Sequence, residues 1–221
     1  MDYEEYYKGR EKKKALGYRL KRRTKEVIKA ILKYKGGEIV SILDVGCADG
    51  KMLELLLEEV EVCNYKGVDF DQKLINLANE DIKKHLEVGN ALNLRFKDNS
   101  FDVLISTAVI EHLENPEKFL KESYRVLKEG GIIILTTPNP FFEKLGSLVG
   151  HLKDDTHFKT FNLKQLRRLL VRNNFKILKL KRFMISPIGM PFEIPIENFL
   201  NKIGLHWTMC NQLIVGKKQT Y

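Results

Sequence analysis

Tryptophan occurs once in this 221-residue chain, cysteine three times and proline six times. No apolar run approaches the roughly 20 residues that a membrane-crossing helix needs, so no membrane span is expected. Cys47, Cys63 and Cys210 are odd in number and far apart, which argues against a disulfide framework and against a cysteine metal site. A reducing, cytoplasmic setting is the corresponding expectation. The five histidines show no ligand spacing with cysteines or carboxylates, so no metal is expected. Met1-Asp2-Tyr3-Glu4-Glu5 is charged and lacks the apolar centre of a signal peptide. Internal repeats and low-complexity tracts are missing as well. At this length one domain, residues 1–221, is expected.

What the chain does have is charge, unevenly placed. Hydrophobic residues make up 43% and charged residues 30%, a globular balance, and the net charge is +9. Residues 1–35 hold 13 Lys/Arg against 5 Asp/Glu, so nearly all the excess sits in a basic N-terminal helical arm, residues 1–37. Two readings stand side by side. The arm meets an anionic substrate, nucleic acid or a membrane surface, or it is an ordinary solvated helix face. Leu20, Val27, Ile28, Ile31 and Leu32 predict a helix over 18–34, ended by Gly36-Gly37.

Beyond the arm, short apolar runs alternate with helical patterns. Strands are predicted at 39–46, Tyr65 to Phe70, 86–89, Phe101 to Thr107 and Ile132 to Thr137. Helices are predicted at 51–60, after Asp71 (Leu74, Ile75, Leu77, Ala78) and from Pro116, capped by Asn115 and ended by Gly130-Gly131. This rhythm implies a parallel sheet covered on both faces. A helix over 163–174, a strand from Phe175 to Phe183 and a last strand from Met209 to Lys217 follow. Segments 138–162 and 184–207, rich in aromatics, methionine and proline, leave the carboxyl ends of the fifth and sixth strands. They are expected to form apolar lids over a site there.

The chain turns on Ile42-Leu43-Asp44-Val45-Gly46-Cys47-Ala48-Asp49-Gly50, a buried strand, a tight turn and the start of a helix. Gly46 and Gly50 let backbone approach a ligand. Nineteen residues past Gly50, Val68-Asp69-Phe70 ends the second strand with a carboxylate suited to two ribose hydroxyls. The dinucleotide spacing G-x-G-x-x-G fails, because Ala48 and Lys51 hold its second and third places. Asp49 would also repel a pyrophosphate lying in the loop. An acidic turn suits a cationic, phosphate-free nucleoside.

This stretch resembles the D/E-x-G-x-G-x-G motif of class I S-adenosylmethionine-dependent methyltransferases, with Ala48 in place of the middle glycine. Gly89-Asn90-Ala91, Phe101-Asp102 to Ala108-Val109-Ile110-Glu111-His112-Leu113, Leu127-Lys128-Glu129-Gly130-Gly131 and His157-Phe158-Lys159-Thr160-Phe161 resemble later motifs of the family's small-molecule, type 11-like branch, in order. The resemblance implies an α/β, doubly wound, seven-stranded, mostly parallel Rossmann-like sheet with its last strand antiparallel. It implies S-adenosyl-L-methionine as cofactor. Asp44 and the backbone of Gly46, Cys47, Ala48 and Gly50 would face its methionine part, and Asp69 its ribose. Phe70, Asn90 and Ala91 would meet the adenine, and Thr107 would approach the sulfonium. Tyr3, Tyr6 or Tyr7 would close over the cofactor. His112, then His157, are the candidate bases, with Glu111 orienting His112 or capping its turn. No Asn-Pro-Pro-Tyr-like motif follows the fourth strand, which argues against a nucleobase amino acceptor. The expected activity is methyl transfer to a small molecule. RNA held by the basic arm, or cofactor binding without catalysis, are the alternatives.

Overall fold

The computed structural model describes residues 14–36, 39–142 and 158–219. Helix α1 (Lys14–Lys35) is followed by β1 (Val40–Val45), α2 (Lys51–Leu57), β2 (Val62–Asp69), α3 (Gln72–Ile75), α4 (Glu80–Lys83) and β3 (Leu86–Val88). Next come β4 (Phe101–Thr107), a 3-10 turn (Ile110–His112), α5 (Pro116–Val126), β5 (Leu127–Pro138), α6 (Leu163–Arg172) and β6 (Phe175–Phe183). The chain closes with α7 (Glu193–Lys202), a second 3-10 turn (His206–Thr208) and β7 (Asn211–Lys218).

The seven strands form one sheet in the order β3-β2-β1-β4-β5-β7-β6. The pairs β2–β3, β1–β2, β1–β4 and β4–β5 are parallel, and β7 runs antiparallel to β5 and β6. The family architecture expected from sequence is present, including the antiparallel last strand.

Alternation along the central strands builds two cores. Ile42, Val103, Ile105, Ile132, Ile134, Leu213 and Val215 face one side, against Val27 and Ile31 of α1 and Leu53 and Leu56 of α2. Leu43, Leu104, Ile133, Leu135 and Ile214 face the other, against Phe119 and Leu120 of α5 and Leu166 and Leu170 of α6. A period of two sends successive residues to opposite faces, so a strand covered on both sides reads as continuously apolar. Helix α6 is started by a capping box. Asn162 Oδ1 accepts from the Gln165 amide and Gln165 Oε1 accepts from the Asn162 amide, each at 2.9 Å. Asn162→Ala is expected to cost about 1 kcal/mol in urea unfolding.

Several boundaries differ from the sequence reading. β2 starts at Val62, because its polar beginning, where Cys63 and Asn64 are exposed, hides the strand. The helix expected after Asp71 is two separate turns. Asn79 accepts the Asp81 amide and opens a new turn, and Leu77 is left partly exposed. Gly130-Gly131 do not end α5, which stops at Val126. They lie within β5, at the irregularity between its Leu127 and Ile132 pairings with β4, with Gly130 at φ 70°. Among the described residues no helix is long and apolar enough to cross a membrane.

Candidate active site

The carboxyl ends of β1, β2, β4, β5 and β6 lie along one edge of the sheet, fixed by the registers Val45↔Val68, Thr107↔Thr136 and Phe183↔Asn211↔Pro138. β1 leaves this edge through Gly46, whose amide donates to Val68 O at 2.7 Å, with the Cys47 amide on the same oxygen at 3.2 Å. Gly46 has φ 83°, and a Cβ there would collide with Val109 Cγ2. Gly50, at φ 69°, precedes α2, and its Cβ would lie 2.5 Å from Ile82 Cγ2. Ala48 holds φ 51° without being glycine. That conformation costs about 1 kcal/mol, and the bond from the Ala48 amide to Asp69 Oδ2, 2.8 Å, offsets it.

Two carboxylates lie beneath this turn. Asp44 is 2% exposed, and its Oδ1 has no hydrogen-bond partner. Burial, and secondly the charge of Asp69, push its carboxyl up to about 7. An unpartnered buried carboxylate is costly, and a cationic or hydrogen-bond-donating ligand removes the cost. Asp69 is also buried and raised, by burial first, although it accepts the amides of Ala48 and Asp71 (Oδ1, 3.0 Å). Burial, then Asp44 and Asp69, raise the Cys47 thiol far above its ordinary range, so it stays protonated.

Around them stand the other expected residues. Phe70 follows Asp69 and is 71% exposed. The Gly89 amide donates to Asp69 O at 2.9 Å, which brings Asn90 and Ala91 beside Asp69. Asn90 Oδ1 already accepts the Leu92 amide at 2.8 Å, so an adenine amino group would share this oxygen. Thr107 ends β4, half-buried. His112 ends the 3-10 turn at the same edge, and its amide bonds Val109 O at 2.8 Å. Glu111 is buried and accepts the Thr137 hydroxyl at 3.1 Å, tying the turn to β5. Tyr3, Tyr6, Tyr7 and His157 lie outside the described residues, as does much of the 138–162 segment.

The second lid differs from the expectation. Segment 184–207 contains α7, whose buried side chains are Glu193 and Glu197, with Ile194, Ile196 and Leu200 half-buried. Arg22 of α1 meets them, with Nη2 2.6 Å from Glu197 Oε2 and Nε 4.0 Å from Glu193 Oε2. Lys181 Nζ bridges Glu197 Oε1 (2.9 Å) and Glu26 Oε1 (2.8 Å). Neither the solvated nor the partner-binding reading of the arm foresaw this internal use of Arg22. Val109, the wall against Gly46, was also missed. An apolar residue just past a strand carries no distinguishing signal.

The orphan oxygen of Asp44, the crowded glycines and the acidic turn together fit an adenosyl ligand with a cationic methionine end. Comparisons agree. Residues 43–135 match the family model described as a methyltransferase domain. The demethylmenaquinone methyltransferase of Lactobacillus johnsonii is 29% identical over 174 residues, 66% of this chain and 70% of the relative. The mitochondrial ubiquinone biosynthesis O-methyltransferase of Dictyostelium discoideum is 28% identical over 198 residues, 78% of this chain and 59% of the relative. With other curated relatives the match spans between 24% and 41% of their length. In fold, this chain is similar to a chain of the Haloferax volcanii complex between the Trm112 methyltransferase activator and a methyltransferase. The TM-score there is 0.71 at 18% identity, covering 99% of this chain and 95% of that one.

Proposed function

We propose that this chain is a class I S-adenosylmethionine-dependent methyltransferase that transfers a methyl group in line to a small-molecule acceptor, a reading supported by the methyltransferase-domain match over residues 43–135. The observation that carries the cofactor assignment is Asp44, a buried carboxylate with an unpartnered oxygen beside a second carboxylate. The quinone-pathway relatives support a small-molecule acceptor.

Asp44 and the Gly46–Gly50 backbone hold the methionine part, and Asp69 takes the ribose hydroxyls on its remaining lone pairs. Phe70 covers one face of the adenine, while Asn90 and Ala91 meet its edge. The cofactor, when bound, supplies a methyl group activated by a sulfonium centre, and the protein's part is to orient the partners and exclude water. Thr107, at the end of β4, approaches the sulfonium. His112, at the same edge, takes a proton where the acceptor must lose one. Residues 1–221 work as one catalytic unit, with the arm and segments 138–162 and 184–207 closing the acceptor side.

Asp69→Ala tests the cofactor site. A charged acceptor is worth about 1.5–3 kcal/mol per bond, so titration calorimetry should give at least about tenfold weaker binding of S-adenosylmethionine. Unchanged affinity would reject the assignment.

A further inference from the structure

Helix α7 turns its two acids inward and its largest apolar side chains outward. Glu193 and Glu197, one turn apart, are buried, whereas Phe199 and Ile203 are exposed on the outer side with Phe192 just before the helix. Phe199 and Ile203, four residues apart, share one stripe, and Phe192 is exposed in the left-handed turn that opens the helix. Ile188, 67% exposed, and Trp207, 49% exposed, add to the same segment. Helices of water-soluble domains bury the apolar stripe and wet the charged one. Here Ile194, Ile196 and Leu200 are half-buried but both acids are inside and the largest apolar side chains outside, so the outer stripe suits a contact other than water.

The charges say which contact. Tyr18 packs on Gly189, Arg19 Nε donates to Pro187 O at 3.3 Å and Arg22 bonds Glu197, so α1 lies alongside the segment. Residues 14–36 and 184–207 contain three acidic residues, Glu26, Glu193 and Glu197, and all three are buried in one ion network. Lys21, Lys25 and Lys29 recur every four residues on the exposed side of α1, and Lys202 is exposed on α7. Every acid of these two segments has been drawn inside, so the charges they expose are all cationic and lie beside exposed apolar side chains. That pairing is the footprint of an interfacial helix on anionic lipid.

We propose that α7 and the adjoining face of α1 dock this protein on an anionic phospholipid surface. Phe192, Phe199 and Ile203 enter the acyl boundary, and the α1 lysines meet the headgroup phosphates. A nucleic acid would use the lysines and stack on the aromatics, but exposed isoleucines at 188 and 203 offer it nothing. α7 follows the carboxyl end of β6, so docking brings that edge of the sheet near the bilayer.

The test is sedimentation of the full chain with phosphatidylcholine vesicles, with and without phosphatidylglycerol. Binding should require phosphatidylglycerol and weaken by at least about tenfold when salt is raised several-fold. The exposed double variant Phe192→Ser/Phe199→Ser should keep the melting temperature and lose at least about tenfold in partitioning. Lys21→Glu/Lys25→Glu should lose a similar factor by the other route. Failure to sediment with the anionic vesicles overturns the proposal, as does binding indifferent to the two phenylalanines. So does a dimer, seen by analytical ultracentrifugation, that dissociates in the phenylalanine variant. Binding of RNA in place of vesicles also overturns it. None of these outcomes depends on methyl transfer.

Discussion

Asp44→Asn should bind S-adenosylmethionine at least about tenfold more weakly at pH 7.5, the loss of about one charge-assisted hydrogen bond, while the ligand-free variant gains stability over the parent at pH 8. The opposite signs arise from one group. Burial and the Asp69 charge raise the Asp44 carboxyl to about 7, from an ordinary 3.8. A folded value above the unfolded one gives stability that is complete below about 4 and is lost as pH rises to about 7. Three pH units at 1.36 kcal/mol each make this about 4 kcal/mol. Asparagine has no charge to hold, although its amide still needs a partner, which returns about 1–3 kcal/mol of the gain. A cationic ligand pairs with the ionised form. Parent affinity should therefore climb from pH 5.5 to about 7, then fall above about 8 as an α-amino group loses its proton. The variant should be flat over the lower range. Calorimetry at four pH values, with thermal melts alongside, reads both arms. A parent affinity flat from pH 5.5 to 7 would show that Asp44 does not face the cationic end.

The separation of legible from hidden features follows how far apart the determining residues lie. β1 and β4 are readable because their own side chains declare burial, and the glycine turn because its spacing is local. Asp69 followed from its distance to that turn. β2 was read short because its first residues are exposed at the strand's open end. The turn after Asp71 was read as one helix because Leu74, Ile75, Leu77 and Ala78 share a helical period, and the competing cap at Asn79 decided otherwise. Helix α7 was not read at all. Pro195 breaks its pattern, and its inward residues are glutamates, which a hydrophobic period assigns to the surface. Their partner Arg22 lies 175 residues away from Glu197 in the chain. No window-based reading joins residues at that separation, and on its own Arg22 is one cation among nine in α1.

That network supports the other large effect, on stability. Arg22 is almost fully buried, bonded to Glu197, near Glu26 (3.4 Å) and Glu193 (4.0 Å), with its guanidinium 5.7 Å from the Phe183 ring centre. Arg22→Met preserves most of the packing volume and removes the charge. It leaves Glu193 Oε2, already without a hydrogen bond, facing an apolar side chain. Breaking a buried pair by deleting one partner costs about 3–5 kcal/mol, because the remaining charge stays buried. Urea unfolding should show that loss at unchanged slope. The double variant Arg22→Met/Glu197→Gln should recover part of it, since two neutral groups strand less charge than one ion. Acid should weaken parent and variant alike through Glu26, whose carboxylate is held by groups that both keep. Burial raises the Glu26 carboxyl, but the Lys181 hydrogen bond and the charges of Lys181, Lys29 and Lys179 outweigh it and hold Glu26 below its ordinary 4.5. Stability from Glu26 is thus present above about pH 4.5 and lost as pH falls through its lowered value. A parent that unfolds no later in urea than Arg22→Met at pH 7 would mean the clasp between α1 and α7 contributes no net stability.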